Sequence, residues 1–154
     1  MSWNIEIVCI RDRKLDLEDA VPDVFGPTKA RYHFEEATSA QRDEELCAAR
    51  IREWIVIIDV GCRVSRNDEY LEEISTGREV HVFRVADAPL HLHYLDGAKQ
   101  RERQGLQACV RALTGKASQP KDGELVAQDL LREVTRLDFG RELWDAKYRG
   151  FALD

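Results

Sequence analysis

Three of the four histidines of this chain lie close together, and they are the side chains best suited to chemistry. His81, His91 and His93 fall within thirteen residues of sequence. Imidazole is a common ligand of zinc and other transition metals, and it gains and loses protons near neutral pH. If the three rings shared one surface, they would form a metal site or a proton-transfer site. The structure of the segment that carries them decides between these roles and a purely structural one.

This segment is predicted to be a β-hairpin, and its register determines whether the histidines meet. The sequence alternates in polarity on both sides of residues 86–89. A four-residue turn would point His81 away from His91 and His93, whereas a three-residue turn would place all three on one face. Pro89 is allowed at the start of a strand, so both registers remain open. Because no carboxylate or cysteine evidently completes a site, we interpret the histidines as structural.

Other catalytic signatures are missing from the sequence. Its glycines are isolated turn residues rather than a phosphate-binding loop, and there is no G-x-S-x-G, Walker A or H-E-x-x-H pattern. The four cysteines lie far apart, which favours buried thiols in a reducing cytoplasm over a zinc cluster. We therefore predict no catalytic residue, no metal, no cofactor and no enzymatic activity. A metal-binding protein or enzyme that uses the hairpin histidines is the alternative.

A basic stripe is predicted on the last strand of the same region. An Asp96-Gly97 turn would place Lys99, Arg101 and Arg103 on one face. We interpret this strand as an exposed edge whose long side chains remain in water, with an anion site as the alternative.

Acidic side chains dominate the first half of the chain. The 154 residues carry a formal net charge of −6, and residues 1–78 contain 11 basic and 17 acidic side chains, whereas residues 79–154 contain 12 of each. This balance disfavours binding to nucleic acid or to an anionic membrane and favours a basic protein partner. The predicted partner-binding residues are Glu44, Glu45, Asp68, Glu69, Tyr70, Glu72 and Glu73, with Tyr32 as a second aromatic anchor.

The elements that position these residues predict a single compact α+β domain over residues 1–154. Residues 2–10 alternate and predict a strand, and the continuous apolar run of residues 54–60 predicts a central one. Residues 79–104 predict an antiparallel meander beside it, and the neighbour of the first strand remains open. The fold is thus a mainly antiparallel sheet with C-terminal helices packed on one face.

Helices are predicted from capping residues and apolar spacing. Asn67 caps a helix over residues 68–74, and a further helix begins at Gly105 and ends at Gly115, followed by a polar loop at 116–121. Asp122 caps another helix through Thr135, and residues 139–144 form a helical turn. Residues 40–52 are rich in helix formers and favour a helix, with a hairpin arm as the alternative.

Several residues typical of turns and cores follow one another in a definite order between residues 54 and 113. They are Trp54, then Leu71, Ser75 and Gly77, then Val80-His81-Val82-Phe83, then Tyr94, Asp96 and Gly97, and finally Gly105. This order is similar to that of small uncharacterised bacterial proteins, and some small acidic proteins of this kind serve as immunity proteins that neutralise toxins from neighbouring cells. The resemblance implies a fold and carries over no catalytic residue.

The expected function follows from the charge and from the missing catalytic signatures. The first residues lack a basic n-region and contain Glu6, so we expect no signal peptide, no membrane span and a cytoplasmic location. We predict a bacterial protein-binding module, specifically an immunity or antitoxin-type inhibitor that blocks a basic toxin domain by occlusion. It would be a monomer or homodimer, and a self-associating structural subunit is a further alternative.

Overall fold

One antiparallel sheet of eight strands organises the protein. The structure is a computed structural model that describes residues 3–113 and 122–153. The strands are β1 (Ile5–Arg11), β2 (Phe25–Tyr32), β3 (Glu45–Ile51), β4 (Trp54–Asp59), β5 (Glu79–Val85), β6 (Leu90–Leu95), β7 (Ala98–Gln104) and β8 (Tyr148–Leu153). Their spatial order is β2-β8-β3-β4-β1-β5-β6-β7. The predicted α+β class with a mainly antiparallel sheet is confirmed.

The centre of the sheet differs from the prediction in one pairing. β1 lies between β4 and β5 and pairs with both, so the β5–β7 meander adjoins β1 rather than β4. The apolar β4 is buried along its whole length, as expected for a central strand. At the other side, β8 pairs with both β2 and β3. The first and last strands, β1 and β8, therefore both lie between other strands of the sheet.

The helices are short, except for the one near the end of the chain. They are α1 (Leu17–Ala20), α2 (Phe34–Ala37), α3 (Asp68–Ile74), α4 (Leu106–Ala112) and α5 (Gly123–Thr135), with a π-helical turn at Phe139–Leu143. The predicted cap of α3 is confirmed, because the Asn67 side chain accepts a hydrogen bond from the Tyr70 backbone. The predicted helix end at Gly115 and the loop at 116–121 lie outside the described residues. Among the described residues, no helix is both long and apolar enough to cross a membrane.

The predicted helix over residues 40–52 is wrong. After a 3₁₀ turn at Ala40–Arg42, the chain forms β3, which pairs with β4 on one side and β8 on the other. Its side chains are buried in alternation on the two faces of the sheet, with Cys47 in one core cluster and Ala48 in the other. Burial on both faces therefore overrides the local helix propensity, and the hairpin alternative is correct.

Each face of the sheet has its own hydrophobic core. On the α5 face, Ile7 and Phe83 belong to the same cluster as Leu130 of α5 and Cys109 of α4. On the α3 face, Val82 packs with Leu71 of α3, and Tyr94 belongs to the same cluster. Side chains on the two faces are therefore separated by the sheet and act in different surroundings.

The start of α5 is packed against the turn between β5 and β6, which gives a test of the fold. A Cβ atom at Gly123 would overlap the backbone carbonyl oxygens of Ala86 and Asp87. We expect Gly123→Ala to lower the free energy of unfolding by about 2 kcal/mol, because backbone must move to admit the methyl group. Urea denaturation would measure this. The matched control is Gly140→Ala, where the nearest atom to the added Cβ is 3.7 Å away, and an equal loss in both variants would contradict the packing.

Candidate functional site

The hairpin adopts the register that brings its histidines together. His81 pairs with His93, and Phe83 pairs with His91, so all three imidazoles lie on the α5 face. The turn of three residues, one of the two predicted alternatives, is therefore the one present. The side chains of His81 and His91 are buried, and that of His93 is 23% exposed.

The three imidazoles are stacked. The rings of His81 and His93 have centroids 4.3 Å apart and planes 12° apart. His91 stacks on Phe83 at 4.8 Å, and the ring of Trp54 lies 6.0 Å from that of His81. Aromatic side chains therefore lie beside the two buried imidazoles.

A chain of hydrogen bonds fixes the protons on two of these rings. Nη1 of Arg103 lies 3.0 Å from Nδ1 of His91, and arginine can only donate, so the proton of neutral His91 is on Nε2. This N–H donates to Nδ1 of His81, 3.0 Å away. The His81 proton is therefore on Nε2 and is donated to Oε2 of Glu79 over 2.9 Å. The network thus places the proton on Nε2 in both His81 and His91.

Burial keeps His81 and His91 neutral at pH 7. We call the hydrogen-bonded series Arg103, His91, His81 and Glu79 the histidine relay. Burial lowers the pKa of His81 from 6.5 to about 4, although the hydrogen bond to Glu79 acts in the opposite direction. Burial, together with the neighbouring His81 and Arg103, lowers the pKa of His91 to about 2. A neutral imidazole has one ring-nitrogen lone pair, and in both rings it accepts a hydrogen bond, so a metal ion or a proton binds only if the network rearranges.

Glu79 is a functional candidate that the sequence reasoning missed. Its Oε2 lies 2.9 Å from Nε2 of His81 and 3.3 Å from Nε2 of His93. It stands two positions before His81 in the predicted strand, and residues at i and i+2 share a face. That spacing was a readable signal for a carboxylate beside the histidines.

Arg103 reaches the site because the last hairpin contains a bulge. Tyr94 pairs with Lys99 but His93 pairs with Arg101, so Gln100 has no partner in β6. The bulge changes the alternation, and Arg101 and Arg103 lie opposite the histidines while Lys99 remains beside Tyr94. The prediction that all three basic side chains share one face is therefore wrong.

A second candidate site is an acidic cleft on the α3 face. It has a volume of about 370 Å³ and lies between the segment after α1 and helix α3. We define its acidic members as the carboxylates of Asp19, Asp23, Glu69 and Glu73, which are all exposed. Within residues 3–113 and 122–153, none of the four forms an ion pair, and Arg78 at the same cleft is held by Asp12 at 3.0 Å. The cleft therefore carries four carboxylates and one guanidinium group, and that guanidinium group is already paired with Asp12.

The structure brings together some of the predicted partner-binding residues and separates others. Glu69, Tyr70 and Glu73 line the cleft, although the Tyr70 hydroxyl donates to the carbonyl of Ala20. Burial also raises the pKa of the Tyr70 phenol, so it is neutral over the ordinary pH range.

The other predicted residues lie outside the cleft. Asp68 accepts a hydrogen bond from Tyr94 at 3.4 Å, and Glu72 is exposed on the same helix. At the start of β3, Glu44 is exposed, whereas Glu45 is held by Arg42 at 3.0 Å and by the Tyr32 hydroxyl at 3.0 Å. Tyr32 is thus part of an internal ion-pair network.

Two further carboxylates are fully buried on neighbouring strands. Glu6 of β1 pairs across the sheet with Asp59 of β4. Glu6 accepts hydrogen bonds from Arg84 at 2.8 Å and from the Ser65 hydroxyl at 2.6 Å, and Asp59 accepts from the backbone N–H of Val64 at 2.9 Å. Because their oxygens are used in fixing the turn after β4, we interpret both as structural.

Comparisons of the chain with family models, with curated proteins and with solved structures found no match.

Proposed function

We propose that the protein is a binding module whose acidic cleft receives a lysine or arginine side chain of a basic protein partner. The observation that carries this proposal is the group of four carboxylates without a basic partner in the described chain. Complementary charge accelerates encounter and selects against acidic partners.

The lining of the cleft also suits a long basic side chain. Val21 and Pro22 supply apolar walls, and Val24 beside them is 60% exposed. A lysine or arginine side chain has an aliphatic stem and a charged end, so the stem would contact these residues while the charge meets Glu69 and Glu73.

The specific role that we propose is inhibition of a toxin by occlusion, as in immunity proteins. A toxin domain that acts on phosphate-containing substrates carries a basic cleft, and an acidic protein seated there excludes the substrate. This role requires no catalytic residue in the inhibitor. It rests on the charge of the cleft and on the resemblance of residues 54–113 to small bacterial proteins.

Charge reversal within the cleft tests the proposal. We expect Glu69→Lys/Glu73→Lys to weaken binding to the toxin encoded by the adjacent reading frame by about 30-fold, because two attractive contacts become repulsive. The measurement is a calorimetric or interferometric titration of the purified pair at several salt concentrations, where wild-type affinity should fall as salt rises.

The matched control is Asp68→Lys/Glu72→Lys, which makes the same change of charge on the same helix but outside the cleft. We expect it to cost only a few-fold in affinity. Equal losses in the two double variants would show that the cleft is not the contact. An adjacent reading frame that encodes no toxin, or affinity that does not depend on salt, would contradict the immunity-type role.

A further inference from the structure

We propose that Glu79, His81 and His93 form a binding site for a divalent transition-metal ion of the zinc class. One ligand atom from each residue lies within 4.8 Å of the others. Two imidazole nitrogens and one carboxylate oxygen form a donor set used by zinc and by other first-row metals, and three protein ligands leave a position for water. This inference does not depend on the acidic cleft, which lies on the opposite face of the sheet.

The orientation of His93 is the observation that points to a ligand. Its Nε2 is buried and has no hydrogen-bond partner, although it lies 3.3 Å from Oε2 of Glu79. Such an atom is normally paired, because burial without a partner is costly. A metal ion between Glu79 and the two rings would use this lone pair.

Two of the spacings between ligand atoms are close to those that a metal ion requires, and the nearly parallel rings of His81 and His93 must tilt so that their lone pairs converge on it. Oε2 of Glu79 is 2.9 Å from Nε2 of His81 and 3.3 Å from that of His93. Metal–ligand bonds of about 2.0–2.2 Å at tetrahedral angles place ligand atoms roughly 3.2–3.6 Å apart. The strands hold both histidines in directly opposed positions, so the site is built on rigid backbone. Glu79 and His93 are partly exposed, which gives an ion a route from solvent.

The surroundings select the kind of metal. Nη1 of Arg11 lies 3.5 Å from Oε1 of Glu79, and Arg101 and Arg103 lie opposite the histidines. Calcium and magnesium need several oxygen ligands, and a site with one carboxylate among three arginines does not provide them. Imidazole nitrogens bind zinc, copper, nickel and cobalt, so the donor set excludes the hard cations and retains these.

Arg103 controls the proton that must move when the metal binds. The metal takes the lone pair of His81 Nε2, so the His81 proton moves to Nδ1 and is donated to Nε2 of His91. The His91 proton then moves to Nδ1, the atom that accepts the hydrogen bond from Arg103 in the metal-free protein. Because Nδ1 can then no longer accept, the guanidinium group must turn away. No proton is released in this exchange. The Arg103 contact therefore opposes the metal-bound arrangement.

Calorimetric titration of the chelator-treated full chain with ZnCl₂ tests the site. We expect one equivalent to bind with a Kd in the micromolar range or below, and His93→Gln and Glu79→Gln to weaken binding at least 50-fold. Arg103→Leu should tighten it about tenfold, since partners of metal-ligating histidines change affinity by such factors. The ring of Trp54 lies 6.0 Å from that of His81, so quenching of its fluorescence by bound Co²⁺ gives a second readout.

Two control variants exclude other ligands. His33→Gln removes the fourth histidine, and Cys62→Ser removes the one partly exposed thiol in the described chain. Both should bind zinc as the wild type does, and circular dichroism should show His93→Gln to be folded. The proposal is overturned if wild type binds no zinc, if binding survives His93→Gln, or if Cys62→Ser abolishes it. Unchanged affinity in Arg103→Leu would overturn the role of Arg103.

Discussion

Lowering the pH from 7 to 5 is expected to remove about 4 kcal/mol from the free energy of unfolding of the metal-free protein. In the folded state the pKa of His81 is about 4 and that of His91 about 2. In the unfolded chain both are about 6.5. Below pH 6.5 the unfolded chain therefore binds two protons that the folded protein does not. The stability contribution is complete above pH 6.5 and falls as the pH decreases, down to about pH 4 for His81 and about pH 2 for His91.

Urea denaturation at pH 5, 6 and 7 measures this dependence. In His91→Leu one of the two groups is absent, and we expect about half of the pH dependence to disappear, whatever the absolute stability of the variant. His33→Gln, which changes an exposed histidine, serves as the control and should retain the wild-type slope. A His91→Leu variant with an undiminished slope would show that the relay does not exclude protons.

Removal of Arg84 is expected to cost about 3 kcal/mol of stability. Its guanidinium donates to Glu6 at 2.8 Å, and the Glu6 carboxylate is fully buried. Arg84→Leu would leave that charge with only the backbone N–H of Ser65, at 2.9 Å, and its hydroxyl. An uncompensated buried charge is more destabilising than the loss of the pair as a whole.

A double-mutant cycle separates the interaction energy between Glu6 and Arg84 from the effect of each substitution alone. Adding Glu6→Gln to Arg84→Leu removes the buried charge, and we expect the double variant to be more stable than Arg84→Leu alone. Arg66→Leu changes a nearby exposed arginine that has no ion pair in the described chain, and it should have little effect in guanidinium chloride denaturation. If the double variant were the less stable of the two, Glu6 would not depend on Arg84 for its charge balance.

Features specified by a few neighbouring residues were predictable from the sequence. Asn67 caps α3, Asp96 and Gly97 form the turn into β7, and the polar β7 is an exposed edge strand. Each depends on local backbone chemistry, such as the positive φ of 85° at Gly97. The antiparallel meander followed from these turns.

Features that depend on distant pairing were not predictable. Both hairpin registers satisfied the local rules, and the core on the α3 face, which contains Val82 of β5 and Leu92 of β6, selects the one that unites the histidines on the other face. The bulge at Gln100 changes the side of Arg103 with no local signal. For β3, sheet partners on both sides override helix propensity. Glu79 is the exception, because its position two residues before His81 in the same strand is enough to place both side chains on one face.

The pairing of β8 with β3 has a consequence for how the protein is made. β3 ends at Ile51, yet one of its two neighbours consists of residues 148–153. During translation a nascent chain that has passed β4 can form the β3–β4 hairpin, but the other edge of β3 has no strand to bind until β8, which begins at Tyr148, has left the ribosome. Such an apolar edge is prone to pair with other chains. We therefore expect the nascent chain to depend most on chaperones in the interval between the emergence of β3 and that of β8.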